Sequence, residues 1–173
     1  MVKSIVLITL FGIAIGLTTG LLDSFFHFVG FEDYKIINIT IFTLFFIGIY
    51  WTTLFLRKRL LNGFMNYWRA FINTVYIGTI SSLVISTIRY VYLKHVVNID
   101  IEAIRNNTEK TMLDYYSLYK EELIENRLSF IEFSYDPFIS SAFYFFYYLT
   151  FVIIFALIAA VFLRRIDRDI SIK

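Results

Sequence analysis

Asp23 and His27 stand four residues apart, a spacing that puts a carboxylate and an imidazole on one face wherever the chain is helical. With His95, which follows the third apolar run, they form an oxygen–nitrogen donor set of the kind that takes a transition metal. The pattern is thin. It lacks the His-Glu-x-x-His spacing that sets two imidazoles one turn apart around a base, and solvated loop residues present the same types. Arg89 and Asn73 are the polar candidates inside an apolar run, where an ionisable group is costly unless it has a task, a partner or a route to water. Arg89 has a route: it lies near the end of its run, and its aliphatic stem can carry the guanidinium to the interface for less than the roughly 2.5–3.5 kcal/mol assigned to a helix centre. Thr40, Thr43, Thr52 and Thr53 are polar as well, but a threonine hydroxyl can bond to its own helix backbone. There is no Gly-rich phosphate loop, serine-nucleophile elbow or pair of intramembrane aspartates, and the chain has no cysteine, which excludes disulfides, Cys-ligated zinc, iron–sulfur clusters and thiol nucleophiles. No catalytic residue is assigned, no cofactor is expected, no metal site is assigned beyond the thin Asp23, His27 and His95 set, and the balance leans against an enzyme.

The elements that must position these residues are apolar throughout. Hydrophobic residues make up 58% of the chain and aromatic ones 20%, with a mean hydropathy of +0.68, against about 45–50% apolar residues in a soluble domain. Four runs, Ser4–Leu22, Ile36–Leu56, Ala70–Leu93 and Phe138–Leu163, are each long enough at about 1.5 Å per residue to cross a hydrocarbon core of roughly 30 Å. Residues 1–173 therefore read as a single membrane domain, an all-α four-helix bundle. The first run follows Lys3 as a signal peptide would, but it exceeds the usual 7–15 apolar residues and meets Leu21-Leu22-Asp23-Ser24-Phe25 instead of a small-x-small cleavage site, so it reads as a retained span.

Charge orients the spans. Arg57, Lys58, Arg59 and Arg69 lie between the second and third with no acid among them, and the C-terminal tail carries Arg164, Arg165, Arg168 and Lys173 against Asp167 and Asp169. Asp23, Glu32 and Asp33 follow the first span, and acids from Asp100 and Glu102 to Glu132 and Asp136 precede the fourth. The positive-inside rule then places both termini in the cytoplasm. Ile101, Ile104, Thr108, Met112, Tyr115, Tyr119 and Leu123 recur at steps of three or four, which predicts one long outer helix, periplasmic or extracellular, over about residues 101–128. Asn62-Gly63 is a turn signal, and Asp136-Pro137 is a helix start, with Asp as N-cap and Pro at the first helical position.

Helix packing has its own signature. Gly12, Gly16 and Gly20 put three glycines on one face of the first span, and Gly78, Ser82 and Ser86 repeat the step in the third, which runs in the same direction. Lipid supplies little hydrophobic drive between helices, so close contact between small faces is a main source of association. The two faces match in height, and the expectation is that Gly16 meets Ser82; a homodimer through the glycine face is the alternative.

From Asn62 onwards the order of features resembles the bacterial membrane family named domain of unknown function 4199. The resemblance rests on Gly63-Phe64, Arg69-Ala70-Phe71, Gly78-Thr79-Ile80-Ser81-Ser82, Tyr90-Val91-Tyr92, a charged outer helix, and the Asp136-Pro137 start of a last span ending in Arg164-Arg165, where the family more often has Asn-Pro. It implies four spans in a bacterial, chiefly Bacteroidetes-type, inner membrane, and it carries over no activity or catalytic residue. The leading functional expectation is a non-catalytic accessory or scaffold subunit whose outer helix meets a membrane or periplasmic protein. The alternative is a small oligomeric transporter or channel, and the third reading is a metal-dependent membrane enzyme. Lipid and further copies of the chain are the other expected partners, whereas a formal net charge of +2 gives no basis for binding nucleic acid. The topology is checked by cysteine labelling: a cysteine at Glu121 should react with an impermeant thiol reagent from outside and one at Asn62 should not, and labelling of both from the same side contradicts four spans.

Overall fold

The computed structural model describes residues 2–29, 34–60, 63–97 and 136–164, with positions 106, 110, 129 and 133 standing alone. The expected outer helix over 101–128 therefore lies almost wholly outside the described residues. Most of the described residues lie in four helices: α1 (Val2–Val29), α2 (Tyr34–Leu60), α3 (Tyr67–His95) and α4 (Pro137–Leu163). Each is long and apolar enough to cross a membrane. All four reach beyond the apolar runs, because a backbone leaving hydrocarbon keeps its hydrogen bonds inside the helix until a capping residue or turn replaces them. The extension matters most in α1, which continues from Leu22 to Val29 and so takes Asp23 and His27 out of the loop where the hydropathy had placed them.

Local chemistry sets the helix ends. The Asp136 carboxylate accepts from the amides of Phe138 and Ile139, both at 2.9 Å, with Pro137 at the first helical position. Asn66 does the same for α3, its side-chain oxygen accepting from the Arg69 amide at 2.9 Å. After α2 the chain turns through Gly63, whose φ of +85° favours a residue without a side chain, and the Gly63 amide returns to the Arg57 carbonyl at 2.9 Å. Asn62, the other half of that turn signal, lies outside the described residues.

The helices alternate in direction. Gly12, Gly16 and Gly20 climb α1 in step with Ile77–Ile80, Ser81–Val84 and Ile85–Ile88 of α3, so these two run parallel and in contact. A Cβ on Gly16 would lie 2.7 Å from the Ser81 carbonyl oxygen and 2.7 Å from Val84 Cβ, which is backbone-level approach. Ser81 fills the seam by donating its hydroxyl to the Gly12 carbonyl at 2.8 Å. The glycine face thus meets Ser81 and not the expected Ser82. One residue turns a helix by about 100°, and that rotation carries the small face of α3 towards α4. There Gly78 abuts Val152, and Ser86 donates to the Ser141 carbonyl at 2.7 Å, while Ser82 turns its hydroxyl back to Gly78.

Helix α2 closes the bundle with bulkier contacts. Gly48 faces Ile15, Phe11 meets Phe55 edge-on at 5.6 Å, and Phe42 stacks on Tyr148 of α4 at 4.8 Å. The core between them is apolar: Phe45, Ile49, Leu56, Ile77, Ile85, Tyr148 and Val152 form one buried cluster, and Met65, Ala70, Ala159, Ala160 and Leu163 form a second where α2 and α4 end. Large side chains such as Leu10, Leu21, Phe143, Phe146 and Phe162 face outward, as lipid-facing residues do. These contacts predict that Gly16→Ala lowers stability by about 1–3 kcal/mol, since its new methyl meets backbone, while Gly48→Ala, which meets only the side chain of Ile15, changes it little. Thermal unfolding of the detergent-solubilised variants checks the difference.

Candidate functional site

The extended face of α1 continues the glycine stripe. Steps of four, four, three and four lead from Gly12 through Gly16, Gly20 and Asp23 to His27, so a carboxylate follows the glycines along the seam with α3. Asp23 is only 3% exposed. Its Oδ2 lies 3.8 Å from Nη1 of Arg89 on α3, and its Oδ1 lies 3.8 Å from Nε2 of His27 one turn further on. Helix α4 supplies the third wall: the Arg89 guanidinium carbon sits 4.0 Å from the centroid of the Tyr144 ring. Three helices therefore contribute charged or polar groups to one point at the end of the bundle where α1 and α3 finish and α4 begins.

The electrostatic logic follows from the surroundings. A carboxylate in an apolar interior is tolerated when a cation stands beside it, and the guanidinium in turn gains from the electron-rich face of a tyrosine. Arg89 thus turns inward. Its side chain is 20% exposed, and it is engaged with Asp23 and Tyr144 where the sequence had suggested an arm reaching to the interface. The charges approach without closing to hydrogen-bond distance, and among the described residues neither Asp23 Oδ1 nor Arg89 Nε has a hydrogen-bond partner.

The other sequence candidates fall elsewhere. His95 is exposed at the end of α3, and among the described residues no three His, Asp or Glu side chains form a group able to hold a metal ion. Asn73 is part-buried on α3, about 24 Å along the axis from Arg89 by helical rise. Thr40, Thr43 and Thr53 each donate to the carbonyl four residues back, and Thr53 Oγ1 also lies 3.4 Å from Thr74 Oγ1 of α3. The sequence reading missed Tyr144 as a partner of Arg89. Its place about two turns into the fourth apolar run, which antiparallel packing sets near the end of the third where Arg89 lies, was the available signal.

Four helices long and apolar enough to cross a membrane, tied at one end by an interhelical charge pair, define a multi-pass membrane protein that is all-helical among the described residues. The family model for the protein of unknown function DUF4199 matches residues 6–165, and the chain belongs to that family. Comparison with curated proteins and with solved structures gave no match.

The pair makes a quantitative prediction. Arg89→Gln leaves the Asp23 carboxylate without its cation and should cost about 3–5 kcal/mol. Adding Asp23→Asn removes the second charge and should restore part of that loss, giving a coupling of about 1–3 kcal/mol in a double-mutant cycle of unfolding free energies. Additive losses would mean that the two groups do not interact.

Proposed function

We propose that the protein is a non-catalytic membrane subunit, an accessory or scaffold component of a bacterial cytoplasmic membrane, with both termini inside. On this reading it engages a membrane or periplasmic protein through the segment between α3 and α4. The observation that carries the reading is the filled axis of the bundle. Phe45, Ile49, Ile77, Ile85, Tyr148 and Val152 are each at most 1% exposed and occupy the space through which a solute would have to pass. The polar groups beside them are engaged locally, as hydroxyls bonded to their own helices and as a charge pair joining α1 to α3. This is the chemistry of a rigid part.

A small transporter built from several copies is the second reading, favoured by Asp23 and Arg89, because intramembrane charges mark ion and proton paths in many carriers. The two are separated by paired measurements. Mild-detergent extraction from the native membrane should recover the protein with a stoichiometric protein partner, and the purified protein in proteoliposomes should show no flux of protons or small ions. Flux abolished by Asp23→Asn, with no partner recovered, would replace the scaffold reading with transport.

A further inference from the structure

The end of the bundle opposite Asp23 carries a concentration of charge, of which the packing uses only a part. Helix α2 finishes with Arg57, Lys58 and Arg59, α3 begins with Arg69 in its first turn, and Arg164 caps α4. Because α2 and α4 run towards this end and α3 starts from it, all five cations share one level. Among the described residues the carboxylates are Asp23 and Asp136, both at the other end, and none of the five cations forms an ion pair. Part of the charge answers the carbonyl ends of α2 and α4, where cations are favoured. Arg57 does this directly, its Nη1 donating to the Leu163 carbonyl at 3.0 Å. That bond fixes the guanidinium between two helix ends, beside the peptide from which Arg164 projects, with Nε lacking a hydrogen-bond partner among the described residues.

What lies around these cations is apolar and aromatic. Trp51 and Trp68 are each 65% exposed, the placement of indoles at the headgroup level. Phe55, Ile158 and Phe162 are exposed on α2 and α4 within two turns of Arg57 and Arg164. A ligand suited to this arrangement has a phosphate to meet the fixed Arg57 guanidinium, with the exposed Arg164 side chain leaving the next residue along, and hydrocarbon to cover the side chains beside them. We infer that Arg57 and Arg164, supported by Lys58, Arg59 and Arg69, form a binding site for an anionic glycerophospholipid, with the phosphate between the arginines and the acyl chains along α2 and α4.

The test uses the full chain purified in mild detergent with equal amounts of phosphatidylcholine, which is zwitterionic, and phosphatidylglycerol, which is anionic. Native mass spectrometry reads the retained lipid. Phosphatidylglycerol should be retained in preference, and Arg57→Gln with Arg164→Gln should lower its retention about tenfold. Since Arg57 also holds a helix end, Lys58→Gln with Arg59→Gln serves as a second variant at exposed positions, with a smaller loss in the same direction. Lys94→Gln, at the far end of the bundle, should leave retention unchanged. Equal retention of the two lipids, or retention indifferent to both arginine-containing variants, overturns the site and leaves the cations to topology and helix ends alone. Displacement of the lipid by excess inorganic phosphate also overturns it, in favour of a small-anion site.

Discussion

The approach of α1 to α3 at backbone distance is the constraint on which the rest of the bundle depends. Three glycines remove the side chains that would hold the helices apart, and Ser81 converts the gap into a hydrogen bond to a main-chain carbonyl. Hydrocarbon offers no gain for hiding one apolar face against another, so the contact draws on close packing and on that bond. Once the parallel pair is set, α3 has turned its other small face outward, and α4 packs there through Gly78 and Ser86. The remaining helix needs no small residues, because aromatic rings on α2 can reach across the wider space to α1 and α4.

Each end of the bundle is then secured by an arginine used in a different way. Arg89 meets a side-chain carboxylate and lies on a tyrosine ring, tying α3 to α1 and α4. Arg57 meets the open carbonyl end of α4 and ties α2 to it. The first contact neutralises a buried charge, the second satisfies a backbone acceptor and the dipole behind it. Both place a guanidinium where water is scarce, a role that a planar, multiply donating cation fills better than an ammonium does.

Much of this was legible in the residues. Hydropathy located four spans, Asp136-Pro137 announced the start of α4, and Gly63 marked the turn after α2. What escaped was whatever depends on where a helix ends and how it is rotated. Hydropathy falls at Asp23, so the first span was ended there, although a helix continues wherever its backbone bonds remain its best option; seven more residues put the carboxylate in the interior. The glycine stripe pointed to the partner helix, but the register between Ser81 and Ser82 depends on how α3 divides its surface between α1 and α4, which no single helix encodes. Arg89 was misread for the same reason: its counter-charge lay on the stretch of α1 assigned to a loop.

The order in which the chain is made gives the Asp23 contact a meaning for biogenesis. Asp23 leaves the ribosome with the first helix, while its cation arrives with the third. Until then the carboxylate has no guanidinium to face, and the least costly position for it is the water edge of the bilayer. Arrival of α3 supplies the missing charge together with the Ser81 seam, so burial of Asp23 and docking of the glycine face become a single event. The pair thus joins residues that the chain order separates by an intervening helix, so neither charge can be answered by the other before both helices are in place.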